Sequence, residues 1–164
     1  MKKPSSIKVI KATCPKIWLL PGFRAITFFG RIYTKTKADM CSINLNDNID
    51  SNFKCHETIH VRQAEDTHDS WFLFYLFYIW QWVCNLPLIT IHKRAPYRLI
   101  SFEMEAFFKE NDWQYPMNGK VSLWRKFNAL KLKEKRKIAK RYYEGNLPYW
   151  YVLNEYFKNN GEPV

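Results

Sequence analysis

The stretch Asn52-Phe53-Lys54-Cys55-His56-Glu57-Thr58-Ile59-His60-Val61-Arg62-Gln63 decides the reading of this chain. It contains His56-Glu57-x-x-His60, the pattern H-E-x-x-H. On a helix, positions i and i+4 lie one above the other on one face, so His56 and His60 can present two imidazoles to one metal ion. Glu57 stands beside them, within reach of a water on that metal. Two neutral nitrogen ligands and an adjacent carboxylate base are the donor set of a hydrolytic zinc site.

The flanking residues support a helix. Asn46, Asp47, Asn48, Asp50 and Ser51 are turn and N-cap types, and Val61 to Glu65 contain neither Gly nor Pro. A helix over about 51–66 is predicted. The chain has only four histidines, two of them here, so abundance does not explain the motif.

A third ligand is expected downstream. Residues 95–107 read as one helix opened by Pro96. Glu103 has Leu99, Ile100, Ala106 and Phe107 as its helical neighbours, which puts it on the apolar face. A buried carboxylate is costly unless paired or bound to metal, so Glu103 is the candidate, ahead of Glu105 on a mixed face.

These residues resemble a known family. His-Glu-Thr-Ile-His at 56–60, followed by Glu-x-x-Ala at 103–106, is similar to the gluzincin branch of zinc metallopeptidases. Taken with Gly22 to Gly30 and Tyr97 to Phe107, the run resembles small H-E-x-x-H proteins of gut bacteria and their phages, over roughly residues 20–110. The resemblance implies Zn2+ held by His56, His60 and Glu103, with Glu57 as catalytic general base and a peptide or protein as substrate. It also implies a compact zincin-like α+β fold, mainly helical, with a small N-terminal β-hairpin before the motif helix. One position departs from the pattern. Many gluzincins carry Asp after the Ala of Glu-x-x-Ala, whereas here it is Phe107, so an orienting carboxylate is missing from its usual place.

The rest of the chain is organised around this core. Its 164 residues suit a single domain over 1–164, with a metal-site core at 20–110 and a basic helical extension at 111–164. Ala25 to Thr34 reads as a strand with a bulge at Gly30, and Cys41 to Asn46 as a second. An edge strand there binds substrate by strand addition or simply supports the helix, and both readings stand. Cys14, Cys41, Cys55 and Cys84 form no C-x-x-C and read as mostly buried thiols in a reducing compartment. No signal peptide is apparent, since lysines interrupt the N-terminal apolar run. A cytoplasmic location follows as the expectation, peripheral to the inner face of the membrane if the aromatic segment described next touches lipid. His92 reads as a loop histidine and His68 as a surface cap. Tyr97, Arg98 and Tyr115 are unranked donors for an oxyanion, and Gln63 is a residue that orients a ligand or lines the cleft.

Trp71 to Ile91 carries no charged residue. Trp71 to Cys84 alone would reach roughly 21 Å as a helix, short of a bilayer's hydrocarbon core. An aromatic helix broken near Asn85-Leu86-Pro87 is predicted, either filling the core or dipping into a membrane interface. Residues 120–144 read as a basic amphipathic helix with Leu123, Phe127, Leu130 and Ile138 on its apolar side, and 149–158 as a last helix before a frayed end. The net charge of +11 suits an anionic partner. An anionic membrane surface ranks ahead of nucleic acid, because no nucleic-acid-binding motif accompanies the charge. Two other classes stand beside a hydrolase: a zinc protein in which the metal only clamps two helices, and a basic peripheral interaction protein.

Overall fold

The computed structural model describes residues 25–28, 31–34, 51–118 and 121–160. Two short strands, β1 (Ala25–Phe28) and β2 (Arg31–Thr34), pair antiparallel from Ala25↔Thr34 to Phe28↔Arg31. The stretch read as one bulged strand therefore folds back on itself. Two residues separate the strands, the shortest common hairpin connection. The second strand expected at Cys41–Asn46 lies outside the described residues.

Among the described residues from Ser51 to Asn160 every regular element is helical: α1 (Ser51–Asp66), α2 (Trp71–Asn85), a 3-10 segment (Leu86–Thr90), α3 (Ala95–Arg98), α4 (Ser101–Lys109), α5 (Trp124–Asn128), α6 (Leu132–Gly145) and α7 (Tyr149–Asn160). This overturns the α+β expectation. The body that carries the H-E-x-x-H helix is all-α among the described residues. The physical reason is that helices cover the inner face of α1: Ile59 and Cys55 pack with Ala106 of α4, and Ala64 packs with Phe102 and with Phe74 of α2. A ladder of two four-residue strands is in any case too small to be a stable layer.

The helix expected over 95–107 is two helices. Ile100 is extended (φ −63°, ψ 132°) and α4 restarts at Ser101. The side chain of Gln81, from α2, explains the restart. Its Oε1 accepts from the Ser101 backbone N–H at 2.7 Å and from the Ser101 hydroxyl, satisfying donors that a helix start leaves unpaired. The basic stretch is also divided, into α5 and α6. A turn at Ala129 separates them, and Glu134 accepts from the Lys131 backbone N–H at 2.7 Å to start α6.

Three buried clusters hold the body together. The largest joins Leu88, Ala95, Leu99 and Met104 to Phe127, Ile138, Ala139, Tyr149, Val152, Leu153 and Phe157. The C-terminal helices thus share one core with the segment that leads into α4. The second cluster, around Phe102, and the third, around Ile59, flank α1. Trp124 Nε1 donates to Asp66 Oδ2 at 2.8 Å and pins the end of α1 to α5.

Candidate metal centre

The site is assembled by α1 and α4, with α2 closing one side. His56 and His60 lie one turn apart on α1, and their Nε2 atoms are 3.2 Å apart. Glu103 sits in the first turn of α4, where the helix dipole favours a carboxylate. Its Oε2 is 3.5 Å from His56 Nε2 and its Oε1 is 3.3 Å from His60 Nε2. One ligand atom from each of the three residues lies within 4.8 Å of the others, and all three residues are buried.

Hydrogen bonds on the far side of each ring fix which nitrogen faces the centre. His56 Nδ1 is 3.1 Å from Glu110 Oε2, a pure acceptor when ionised, so Nδ1 carries the proton. His60 Nδ1 is 2.8 Å from Gln63 Oε1. Gln63 Nε2 donates to Phe102 O at 3.0 Å and to Glu105 Oε2 at 2.6 Å, which leaves Oε1 as the acceptor for a His60 Nδ1–H. Both Nε2 lone pairs then point at the same place. Two imidazole lone pairs 3.2 Å apart beside a carboxylate are repulsive unless a cation or protons stand among them.

Burial disfavours charge on all three groups, but their neighbours favour it. Against burial, the His60 and His56 imidazoles keep the Glu103 carboxyl well below the ordinary carboxylate range. His56 is pushed up to about 10: burial opposes charge there, but Glu103, Glu110 and Glu57 outweigh it. His60 rises too, against burial, chiefly through Glu103. Glu103 Oε2 is moreover buried without a hydrogen-bond partner. Two Nε2 donors, one bare carboxylate oxygen and a strong demand for positive charge fit a divalent transition-metal ion. Glu57 is also buried at this centre, adjacent to His56 on α1.

The remaining candidates separate clearly. Glu105 turns away from the centre. It accepts from Gln63, from the Tyr115 hydroxyl at 2.6 Å and from the Leu123 backbone N–H at 2.7 Å, so it is a buried structural acceptor, and Tyr115 belongs to it rather than to an oxyanion. Arg98 lies over the Phe107 ring, 4.1 Å from its centroid. Tyr97 stays at the centre: burial and then Glu103 push its phenol well above the usual range. Gln63 orients His60, as one of its two sequence readings had it. His68 is exposed in the turn after α1, and His92 stacks on Tyr143 with ring centroids 4.0 Å apart. Cys55 is buried, its Sγ 3.5 Å from Lys109 O and from Asp112 O. Burial, with Asp112 and Glu110, pushes its thiol up to about 11, which leaves it unreactive. Cys84 is exposed, contrary to the expectation of a buried thiol, because it falls on the bare side of α2.

Sequence reasoning missed two residues. Glu110 supplies the orienting carboxylate that position 107 lacks. Phe107 instead lays its ring edge-on against His56, with centroids 4.5 Å apart. The other is Tyr78, whose hydroxyl donates to Glu103 Oε1 at 2.7 Å. That bond occupies Oε1 and leaves Oε2 as the bare oxygen. A polar group spaced four residues after Phe74 and three before Gln81 on an aromatic helix was the available signal for Tyr78. Nothing local marks Glu110.

No family model, no curated protein and no solved structure matches this chain.

Proposed function

We propose that this protein is a zinc-dependent hydrolase acting on peptide bonds, with His56, His60 and Glu103 as metal ligands and Glu57 as general base. The observation that carries the reading is the convergence of one ligand atom each from His56, His60 and Glu103 within 4.8 Å, with Glu103 Oε2 left unpartnered and Glu57 beside His56 on α1. Bound zinc supplies Lewis acidity, polarising a carbonyl oxygen and acidifying water. The chain's own residues do the rest. Glu57 takes the proton of the attacking water on its carboxylate and returns it to the leaving nitrogen. Glu110 and Gln63 hold the two imidazoles in the Nδ1–H tautomer. The Tyr78 phenol keeps one oxygen of Glu103 engaged and so aims the other. Its proton is held firmly, since burial and then Glu103 push the phenol well above its usual range. Tyr97, whose phenol burial and then Glu103 keep protonated, is our candidate donor to a developing oxyanion.

A second reading, zinc as a clamp between α1 and α4, draws on the closure of the site: His56 and His60 are each 7% exposed and Glu103 is 3% exposed. Glu57→Gln separates the two. The hydrolase reading expects the variant to keep its zinc and lose hydrolysis of a mixed peptide library. If the wild type cleaves and the variant cleaves equally well, Glu57 is not the base. If the zinc-loaded wild type cleaves nothing while metal removal lowers Tm, the clamp reading stands.

A further inference from the structure

Helix α2 is built inside out. Its inner stripe, Phe74, Tyr78, Gln81 and Asn85, follows helical spacing and carries the polar groups. Tyr78 binds Glu103, Gln81 starts α4, and Asn85 Nδ2 donates to Pro96 O at 3.2 Å. The opposite stripe, Phe72, Leu76, Ile79 and Val83, continued by Leu86 at the start of the 3-10 segment, repeats at intervals of four and three residues and is wholly apolar. Its exposures are 71%, 53%, 59%, 45% and 36%. Trp80, 65% exposed, flanks it. A helix facing water shows the reverse arrangement. Polar residues turned toward the protein and an unbroken apolar outer face are how a helix is arranged against hydrocarbon. The segment Trp71–Thr90 is also long and apolar enough to qualify by composition as a membrane span, and most of it lies outside the core.

We infer that the outer face of α2 rests in the surface layer of an anionic lipid bilayer, with the protein's body on the water side. The inner stripe is committed to α3 and α4, so the helix cannot cross the bilayer alone, and lying in the interface is the geometry left. Charge selects the lipid. Exposed Lys93 and Arg94 follow the apolar segment at once, and the chain carries a net charge of +11. Anionic headgroups complement that rim. Nucleic acid would find no cation on the stripe to meet its phosphates. Trp80 has the amphipathic ring that favours headgroup depth.

The test is flotation of the full chain with vesicles of phosphatidylcholine alone and of phosphatidylcholine with about a quarter phosphatidylglycerol. The chain is expected to float with the anionic vesicles, less so in high salt, and hardly at all with the neutral ones. Ile79→Ser and Trp80→Ser, together or singly, are expected to cut partition by about tenfold or more while leaving the melting curve and zinc content unchanged, since neither side chain is in the core. Absence from both vesicle types overturns the inference. So does equal, salt-insensitive partition into neutral vesicles, which removes the anionic lipid. If the wild type is a dimer by light scattering and the same substitutions make it a monomer, the face belongs to a second copy and the lipid assignment fails. None of these outcomes bears on the metal centre, which zinc content reads separately.

Discussion

For the proposed zinc site, removing the Glu110 carboxylate should weaken metal binding without touching any of the three proposed ligands. Glu110 lies beyond the last turn of α4 and reaches back to His56 Nδ1 at 3.1 Å. A partner of this kind fixes the ring's orientation and tautomer and raises its basicity, and its loss typically costs 10- to 100-fold in metal affinity. The structure places Glu110 at the lower end. Its side chain is 28% exposed, so water can replace part of the lost acceptor, and the edge-on Phe107 ring still holds the imidazole in place. Glu110→Ala should therefore weaken zinc binding about tenfold, or about 1.4 kcal/mol. Glu110→Gln retains a neutral acceptor and should fall between the variant and the wild type. Competition against a chromogenic chelator at fixed pH measures both. Unchanged affinity in Glu110→Ala, with an unchanged melting curve, would refute the claim that this carboxylate orients the ligand.

Two further expectations concern the fold. Lys135 is 5% exposed, with its Nζ 3.3 Å from Asn85 Oδ1, and burial lowers its amine to about 8 from an ordinary value of 10.5. Below that folded value both states are protonated and the burial cost is present in full. As pH rises through about 8 the native amine loses its proton while the unfolded chain keeps one, so this group makes stability climb between about 8 and 10.5. Lys135→Met should flatten that climb and raise stability at pH 7 by about 1–2 kcal/mol, after the cost of leaving Asn85 Oδ1 unpaired. Urea melts at several pH values read it, and a less stable variant at pH 7 would contradict it. Phe102 is fully buried, its ring centroid 4.7 Å from Phe74 and 4.8 Å from Trp124. Phe102→Ala should cost about 3–5 kcal/mol, and a loss under about 1 kcal/mol by the same melts would mean that this cluster does not hold α1, α2 and α4 together.

Much of the centre could be read from the sequence because it depends on local periodicity. His56 and His60 are one helical turn apart, and Glu103 is surrounded by apolar residues at helical spacing. What could not be read depends on contacts between distant segments. Gln81 of α2 caps the start of α4 twenty positions downstream, so the break at Ile100 has no local signal. Glu110 meets His56 only because α4 crosses α1 at that point. Lys135 looks like one more cation on a basic helix until α6 is packed against the end of α2. The α+β expectation failed for a different reason. Ala25 to Thr34 has real strand character, but attaching a sheet to the motif helix was an analogy from the motif, and a site's chemistry does not fix the fold that carries it. In this chain, helices cover α1 where a sheet was expected.

The measurement that bears most directly on this account is the zinc content of the purified full chain, wild type beside His60→Ala and Glu103→Ala, with Glu65→Gln as a control on the same helix as the motif. About one zinc per chain is expected in the wild type and the control, and none in the other two. No zinc in the wild type after reconstitution, or zinc retained in Glu103→Ala, would contradict it.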